Sequence, residues 1–144
     1  MKTDPVKIIM VDDNVSFRTD LKRFIESDQK CKVIAEASDG KAFLELNCIP
    51  TADIILMDIV MDRMDGIEAT RRALWVYSYL KIIAVTMHSE KIYLIQLIET
   101  GFKGCVFKFD VYNQLKEAID KVLNGNLYIP KSIPIDKKDH LSSF

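Results

Sequence analysis

The chain has 144 residues, 49% of them apolar and 28% charged, which is enough for one domain with a real core and too apolar for a disordered chain. Its 20 Lys and Arg against 21 Asp and Glu leave a net charge of −1, which argues against a surface dominated by nucleic-acid or membrane attraction. No apolar run approaches a membrane span, and the start, Met1-Lys2-Thr3-Asp4-Pro5, lacks the apolar stretch of a signal peptide. Cys31, Cys48 and Cys105 are odd in number and without metal-type spacing, so they read as buried or half-buried thiols of a reducing cytoplasm.

In chain order, residues 7–11 form an apolar run that predicts a strand and ends in Asp12-Asp13. Asn14 is placed to cap a helix whose Phe17, Leu21, Phe24 and Ile25 make one apolar stripe. A shorter, more polar strand over residues 31–37 suits a sheet edge. Asp39-Gly40 opens a short helix carrying Ala42, Phe43, Leu46 and Cys48, bounded by Pro50. Residues 53–57 hold Ile54-Ile55-Leu56-Met57, a run with no polar alternation, as a strand buried on both faces requires. It stops at Asp58.

Residues 59–66 then make a loop long enough to overhang the strand ends. A third helix starts near Asp65 or Gly66 and carries Ile67, Thr70, Arg71 and Leu74, with Trp75 near its end. Residues 81–85 form a fourth strand ending at Thr86. Ser89 is the expected cap of a fourth helix that runs to Thr100 and stops at Gly101. Residues 104–107 form a fifth strand ending at Lys108. Asp110 is the expected cap of a fifth helix with Val111, Leu115, Ala118, Ile119 and Val122 inward, closed by Asn124-Gly125. From Leu127 the pattern decays through Pro130, Pro134, Lys137-Lys138-Asp139 and Ser142-Ser143 into a tail or interdomain linker.

Five strands alternating with five helices predict a doubly wound α/β domain, a parallel sheet covered on both faces. Asp12, Asp13, Asp58, Thr86 and Lys108 then share the carboxyl edge of the sheet, where open α/β sheets bind ligands. Each alone has a common structural explanation: a turn for the Asp-Asp pair, a strand end for Asp58, a cap for Thr86, a solvated charge for Lys108. Together they are hard to explain that way. Three carboxylates in one place repel, a pair at 4 Å by about 4 kcal/mol at an effective dielectric near 20. A hard cation such as Mg²⁺ relieves this, and a lysine and a hydroxyl complete the equipment to hold a phosphoryl group. Asp58, at the end of the central strand, is the expected nucleophile.

These residues resemble the receiver domain of bacterial two-component response regulators. The matching segments are Ile8-Ile9-Met10-Val11-Asp12-Asp13, Ile55-Leu56-Met57-Asp58 through Met64-Asp65-Gly66, Ala84-Val85-Thr86-Met87, and Gly104-Cys105-Val106-Phe107-Lys108. Gly125-Asn126-Leu127-Tyr128-Ile129-Pro130 further resembles LuxR/NarL-type regulators. The resemblance implies a flavodoxin-like (CheY-like) fold with strand order 2-1-3-4-5. It implies phosphorylation of Asp58 by a histidine kinase and a phosphorylation-driven switch, for transcription regulation, rather than a turnover enzyme. It implies Mg²⁺ on Asp13, Asp58 and the Val60 backbone carbonyl, with Asp12 helping through water, and phosphoryl contacts from Thr86 and Lys108. Val60 and His88 fall where the family modulates attack by water.

Three positions depart from the family pattern. Asp62 replaces a common proline. Cys105 replaces an aromatic residue that moves inward as part of the switch, and a thiol is too small a steric lever for that. Phe109 replaces the proline after Lys108, so that peptide bond is expected to be trans. The fourth helix, with Ile92, Tyr93, Leu94, Ile95, Leu97 and Ile98, has little polar face. It is either deeply covered or part of a homodimer or partner face with the fifth strand and fifth helix. The expected division is a receiver domain over 1–125 and a C-terminal tail or linker over 126–144, with two alternatives open: a receiver cut from a longer transcription factor whose DNA-binding domain is not visible in these residues, or a stand-alone receiver. Two other functions fit parts of this pattern: a phosphorylation-independent interaction module, and an aspartate-nucleophile phosphohydrolase, which needs a second acid where Val60 stands.

Overall fold

The unbroken Ile, Val, Met and Leu runs become strands because both of their faces are covered. The computed structural model describes residues 4–133. In order they form β1 (Val6–Val11), α1 (Val15–Glu26), β2 (Cys31–Ala37), α2 (Gly40–Leu44), β3 (Ile54–Met57), α3 (Gly66–Val76), β4 (Ile82–Thr86), α4 (Lys91–Thr100), β5 (Gly104–Phe107) and α5 (Val111–Leu123). Single 3-10 turns occupy Ile49–Thr51 and Lys108–Asp110. All neighbouring strands pair in parallel, in the order β2-β1-β3-β4-β5. This is the doubly wound sheet expected from the alternation, with β2 at an edge.

Strand alternation divides the core into two layers. Ile9, Val11, Ile55, Met57, Ile82, Ala84, Cys105 and Phe107 face α2, α3 and α4 through Phe43, Ala69, Ala73, Leu94 and Leu97. Ile8, Met10, Ile54, Leu56, Ile83, Val85 and Val106 face α1 and α5 through Leu21, Ile25, Leu115, Ile119 and Val122. Side chains such as Ile8, Ile54 and Phe43 are fully buried, and each contributes about 1.5–3 kcal/mol relative to exposure.

Asn14, Asp39 and Asp65 cap α1, α2 and α3 by accepting from the amides of Phe17, Ala42 and Glu68. Gly101 ends α4 in the left-handed conformation, φ 119°. Two expected caps differ. The residue before α4 is Glu90, not Ser89, and it makes no side-chain cap. Asp110 precedes α5 but makes no side-chain bond to its amides, because residues 108–110 already coil as a 3-10 turn. α2 is also shorter than expected. Its last bonds, Glu45 to Ala42 and Leu46 to Phe43, tighten to three-residue spacing and end the helix before Cys48. Leu46 and Cys48 still pack on the core.

The expected tail begins with packed residues. Tyr128 is 4% exposed. Its carbonyl accepts from Cys105 N at 3.0 Å, its amide donates to Lys103 O at 3.1 Å, and it forms a parallel bridge with Gly104. The side chains of Val122 and Tyr128 lie where a Cβ on Gly104 would touch them, at 3.3–3.4 Å. Residues 134–144, with Pro134, Lys137-Lys138-Asp139 and Ser142-Ser143, lie outside the described residues.

Candidate functional site

Parallel strands of similar register bring their carboxyl ends to one edge. Val11 pairs with Met57, Met57 with Ala84, and Thr86 with Phe107. Asp12, Asp58, Thr86 and Lys108 are therefore delivered to one place by β1, β3, β4 and β5. All five sequence-predicted site residues gather there. Asp12, Asp13 and Asp58 each bring a carboxylate oxygen to within 4.8 Å of the others. Lys108 Nζ stands 2.9 Å from Asp12 Oδ2 and 3.6 Å from Asp58 Oδ2. Asp12, Asp58 and Thr86 are buried, while Asp13 is exposed.

Each group is held by its neighbours. Asp12 Oδ1 accepts from Asn14 N, and Asp58 Oδ1 from Ile59 N, both at 2.8 Å. Thr86 Oγ1 accepts from His88 N at 3.1 Å. Burial pushes the Asp58 carboxyl up to about 6, and the Asp12 charge adds to the effect. Lys108 and the Ile59 amide oppose it. The buried Asp12 Oδ2 is paired with the Lys108 ammonium. Three carboxylates clustered about that single lysine suit a hard divalent cation with oxygen ligands.

The remaining sequence candidates line the rim. Val60 is 63% exposed beside the site. His88 is exposed, 4.7 Å from the Tyr93 ring between centroids and 3.8 Å from Glu90. Cys105 lies inside β5, where burial pushes its thiol up to about 12. It is a poor nucleophile there. The peptide bond after Lys108 is trans, as expected. The fourth helix is covered on one side: Leu94, Leu97 and Ile98 are buried, Tyr93 and Ile95 are half-buried, and Ile92 is 79% exposed.

Sequence reasoning missed several contributors. The Phe17 ring, which the sequence shows only as part of an apolar stripe, lies beneath the Lys108 ammonium, 4.6 Å from its centroid. Arg18, one position on, donates to the Asp12 carbonyl and pairs with Glu36 at 2.9 Å. No spacing in the chain connects residue 18 with 36. Gly66 is required by contact: a Cβ there would stand 2.0 Å from the Asp58 carbonyl oxygen.

Comparisons with known proteins agree with this geometry. Residues 8–120 match the family model described as the response regulator receiver domain. The transcriptional regulatory protein DegU of Brevibacillus brevis is 32% identical over 124 residues, covering 86% of this chain and 52% of its own length. LiaR of Bacillus subtilis is 34% identical over 122 residues, covering 83% and 57%. The chain thus spans just over half the length of these curated relatives. Among solved structures, a two-component response regulator of the LuxR family from Aurantimonas sp. SI85-9A1 superposes with a TM-score of 0.84 at 31% identity, covering 90% of this chain and 92% of that one. The receiver domain of a NarL response regulator from Mycobacterium tuberculosis gives 0.78 at 26% identity, covering 86% and 100%. With the fold, the acidic edge and these matches in agreement, the chain belongs to the receiver-domain family of two-component response regulators, with relatives of the LuxR/NarL type.

Proposed function

We propose that the chain is a phosphoacceptor switch that takes a phosphoryl group on Asp58 from a histidine kinase. The observation that carries this is the buried Asp58 carboxylate, with two further carboxylates within 4.8 Å and Lys108 Nζ at 3.6 Å. In the transfer, the phosphorus–nitrogen bond of a phosphohistidine breaks as a phosphorus–oxygen bond forms to Asp58. The imidazole nitrogen keeps the electron pair. Asp58 must be ionised to attack, and its raised carboxyl moves that ionisation up to about pH 6. Asp13, Asp58 and the Val60 carbonyl would hold Mg²⁺, with Asp12 assisting. When bound, that ion supplies neutralisation of the phosphoryl and carboxylate charges. Lys108 pairs with a phosphoryl oxygen, and Thr86 turns its hydroxyl toward another.

The switch then biases an equilibrium between two conformers. Thr86 is its first moving part, since its Oγ1 now accepts the His88 amide. Cys105 offers no bulk to follow it. Residues 1–125 act as the receiver and 126–144 lead toward an output domain. Since the relatives include transcriptional regulators, that output is DNA binding by a further domain. Ile92 and the exposed side of α4, with β5 and α5, offer a homodimer face. The place of action is the cytoplasm.

The test is incubation with Mg²⁺ and acetyl phosphate, read by intact mass. A single phosphoryl adduct that Asp58→Asn abolishes supports the proposal. No adduct, under conditions that label a control receiver, favours a phosphorylation-independent module instead.

A further inference from the structure

The loop after Asp58 contains the only non-glycine residue with a positive φ among the described residues, Arg63 at 63°. That conformation crowds the Cβ of any L residue and is routine only for glycine, asparagine and aspartate. An arginine stays there when its surroundings hold it. Here Nε donates to Asp39 Oδ2 at 2.7 Å and Nη2 to Asp39 Oδ1 at 3.2 Å, a two-bond fork. Asp39 is 6% exposed and also accepts from Ala42 N at 2.8 Å. One carboxylate thus starts α2 and grips the loop.

The loop has few other anchors. Gly66 N donates to Ile59 O, and Met64 N to Asp62 O. Met64 O accepts from Gly40 N at 3.0 Å, beside Asp39. Gly40 permits that approach, since a Cβ would stand 2.6 Å from Met64 O. Among the described residues, no hydrogen bond from outside the loop holds Val60 or Met61. β1 lies between β2 and β3. Arg63 leaves the end of β3 and Asp39 lies just past the end of β2, so their tie spans the two strands flanking β1. It draws the loop toward the acidic end of β1.

We propose that Arg63 is a positioning residue for the Asp58 site, acting through its fork on Asp39 to hold the β3–α3 loop over the acidic cluster. This rests on the phosphoacceptor function above. The pair would set how well the loop backbone presents itself to a divalent cation and how fast Asp58 is phosphorylated. It touches neither group itself.

The test uses the full chain with Arg63→Gln, Asp39→Asn, the double variant and Arg63→Lys. Mg²⁺ alone is titrated by amide NMR shifts, the adduct rate from acetyl phosphate is read by intact mass, and thermal unfolding is recorded for each. Each of the first two substitutions is expected to weaken Mg²⁺ binding and slow adduct formation by about three- to tenfold, and the double variant no more than the worse single, since one interaction is lost. Arg63→Lys recovers only part, because an ammonium cannot form the fork. Arg63→Gln keeps the Asp39 cap on α2, so its unfolding midpoint stays near wild type and it decides the matter if Asp39→Asn folds poorly. Mg²⁺ affinity and adduct rate both within about twofold of wild type in the single variants, or losses that multiply in the double, would overturn the proposal. So would a fall in midpoint with Mg²⁺ affinity unchanged. An adduct in wild type with unaffected variants removes only the positioning role; a wild type that neither binds Mg²⁺ nor takes the adduct removes the phosphoacceptor function with it.

Discussion

Replacing Asp58 by asparagine should stabilise the metal-free protein. Asp12 and Asp58 oxygens lie within 4.8 Å; at that distance two like charges cost about 3.5 kcal/mol at an effective dielectric of 20. Lys108 at 3.6 Å from Asp58 offsets this by about 4.6 kcal/mol on the same scale. The two nearly cancel, and burial is left to push the Asp58 carboxyl from 3.8 up to about 6. A group whose carboxyl is raised by folding makes the folded state prefer the proton. Its penalty is absent below about pH 4, grows between 4 and 6, and is constant above. Two units correspond to about 3 kcal/mol, reduced to about 2 kcal/mol for partial solvent screening.

Asp58→Asn removes this titration. In buffer with a chelator, the variant should melt with wild type near pH 4 and about 4–8 °C above it at pH 8. The assay is thermal unfolding by circular dichroism across that range. Lys108→Ala should move the other way, losing about 2–4 kcal/mol at pH 8 by leaving two buried carboxylates without their cation. Wild type equal to or more stable than Asp58→Asn at pH 8 without divalent ions would refute the reasoning.

Three other outcomes follow from contacts already described. Gly66→Ala places a Cβ 2.0 Å from the Asp58 carbonyl oxygen, so the loop must shift; denaturant unfolding should show a loss of about 2–4 kcal/mol, and a loss under 1 kcal/mol would contradict the packing. Cys105, with its thiol raised to about 12, should resist iodoacetamide at pH 8, while Cys31 and Cys48, both half-buried, react first; peptide mapping reads the order. Ile92→Asp alters a side chain 79% exposed, so monomer stability should change by less than about 0.5 kcal/mol. If α4 contributes to a homodimer of the phosphorylated form, light scattering should show that dimer weakened.

Much of the fold was legible because the apolar runs were unambiguous. Ile54-Ile55-Leu56-Met57 could not be a surface helix, and the stripe at Leu115, Ala118, Ile119 and Val122 could not be a strand. The gathering of site residues was legible for a related reason: parallel strands end together, so a polar residue after each apolar run arrives at one edge. Cap identity was less legible. Ser89 and Asp110 have the right side chains, but the local backbone turns before either can bond to a helix amide. The near-continuous apolar run of α4 hid which residue faces outward: Tyr93 is half-buried against His88, and Ile92 is the exposed one. Pairings across distant segments, such as Arg18 with Glu36 or Arg63 with Asp39, left no periodic trace and needed the folded chain.

The bridge that Tyr128 makes to Gly104 also governs how copies of this protein can meet. A parallel sheet has two margins, each a row of backbone groups on which another strand could build. On the β5 margin, Tyr128 already takes the Cys105 amide and the Lys103 carbonyl. On the β2 margin, the register shifts opposite Ile8 and Ile9, and Lys32 and Glu36 place charges along the strand. Among the described residues, neither margin presents an uninterrupted ladder to a neighbour. Self-association by growth of the sheet is thereby discouraged, and contact between molecules is directed to the helical faces, where it can be made and released without remaking the β-structure.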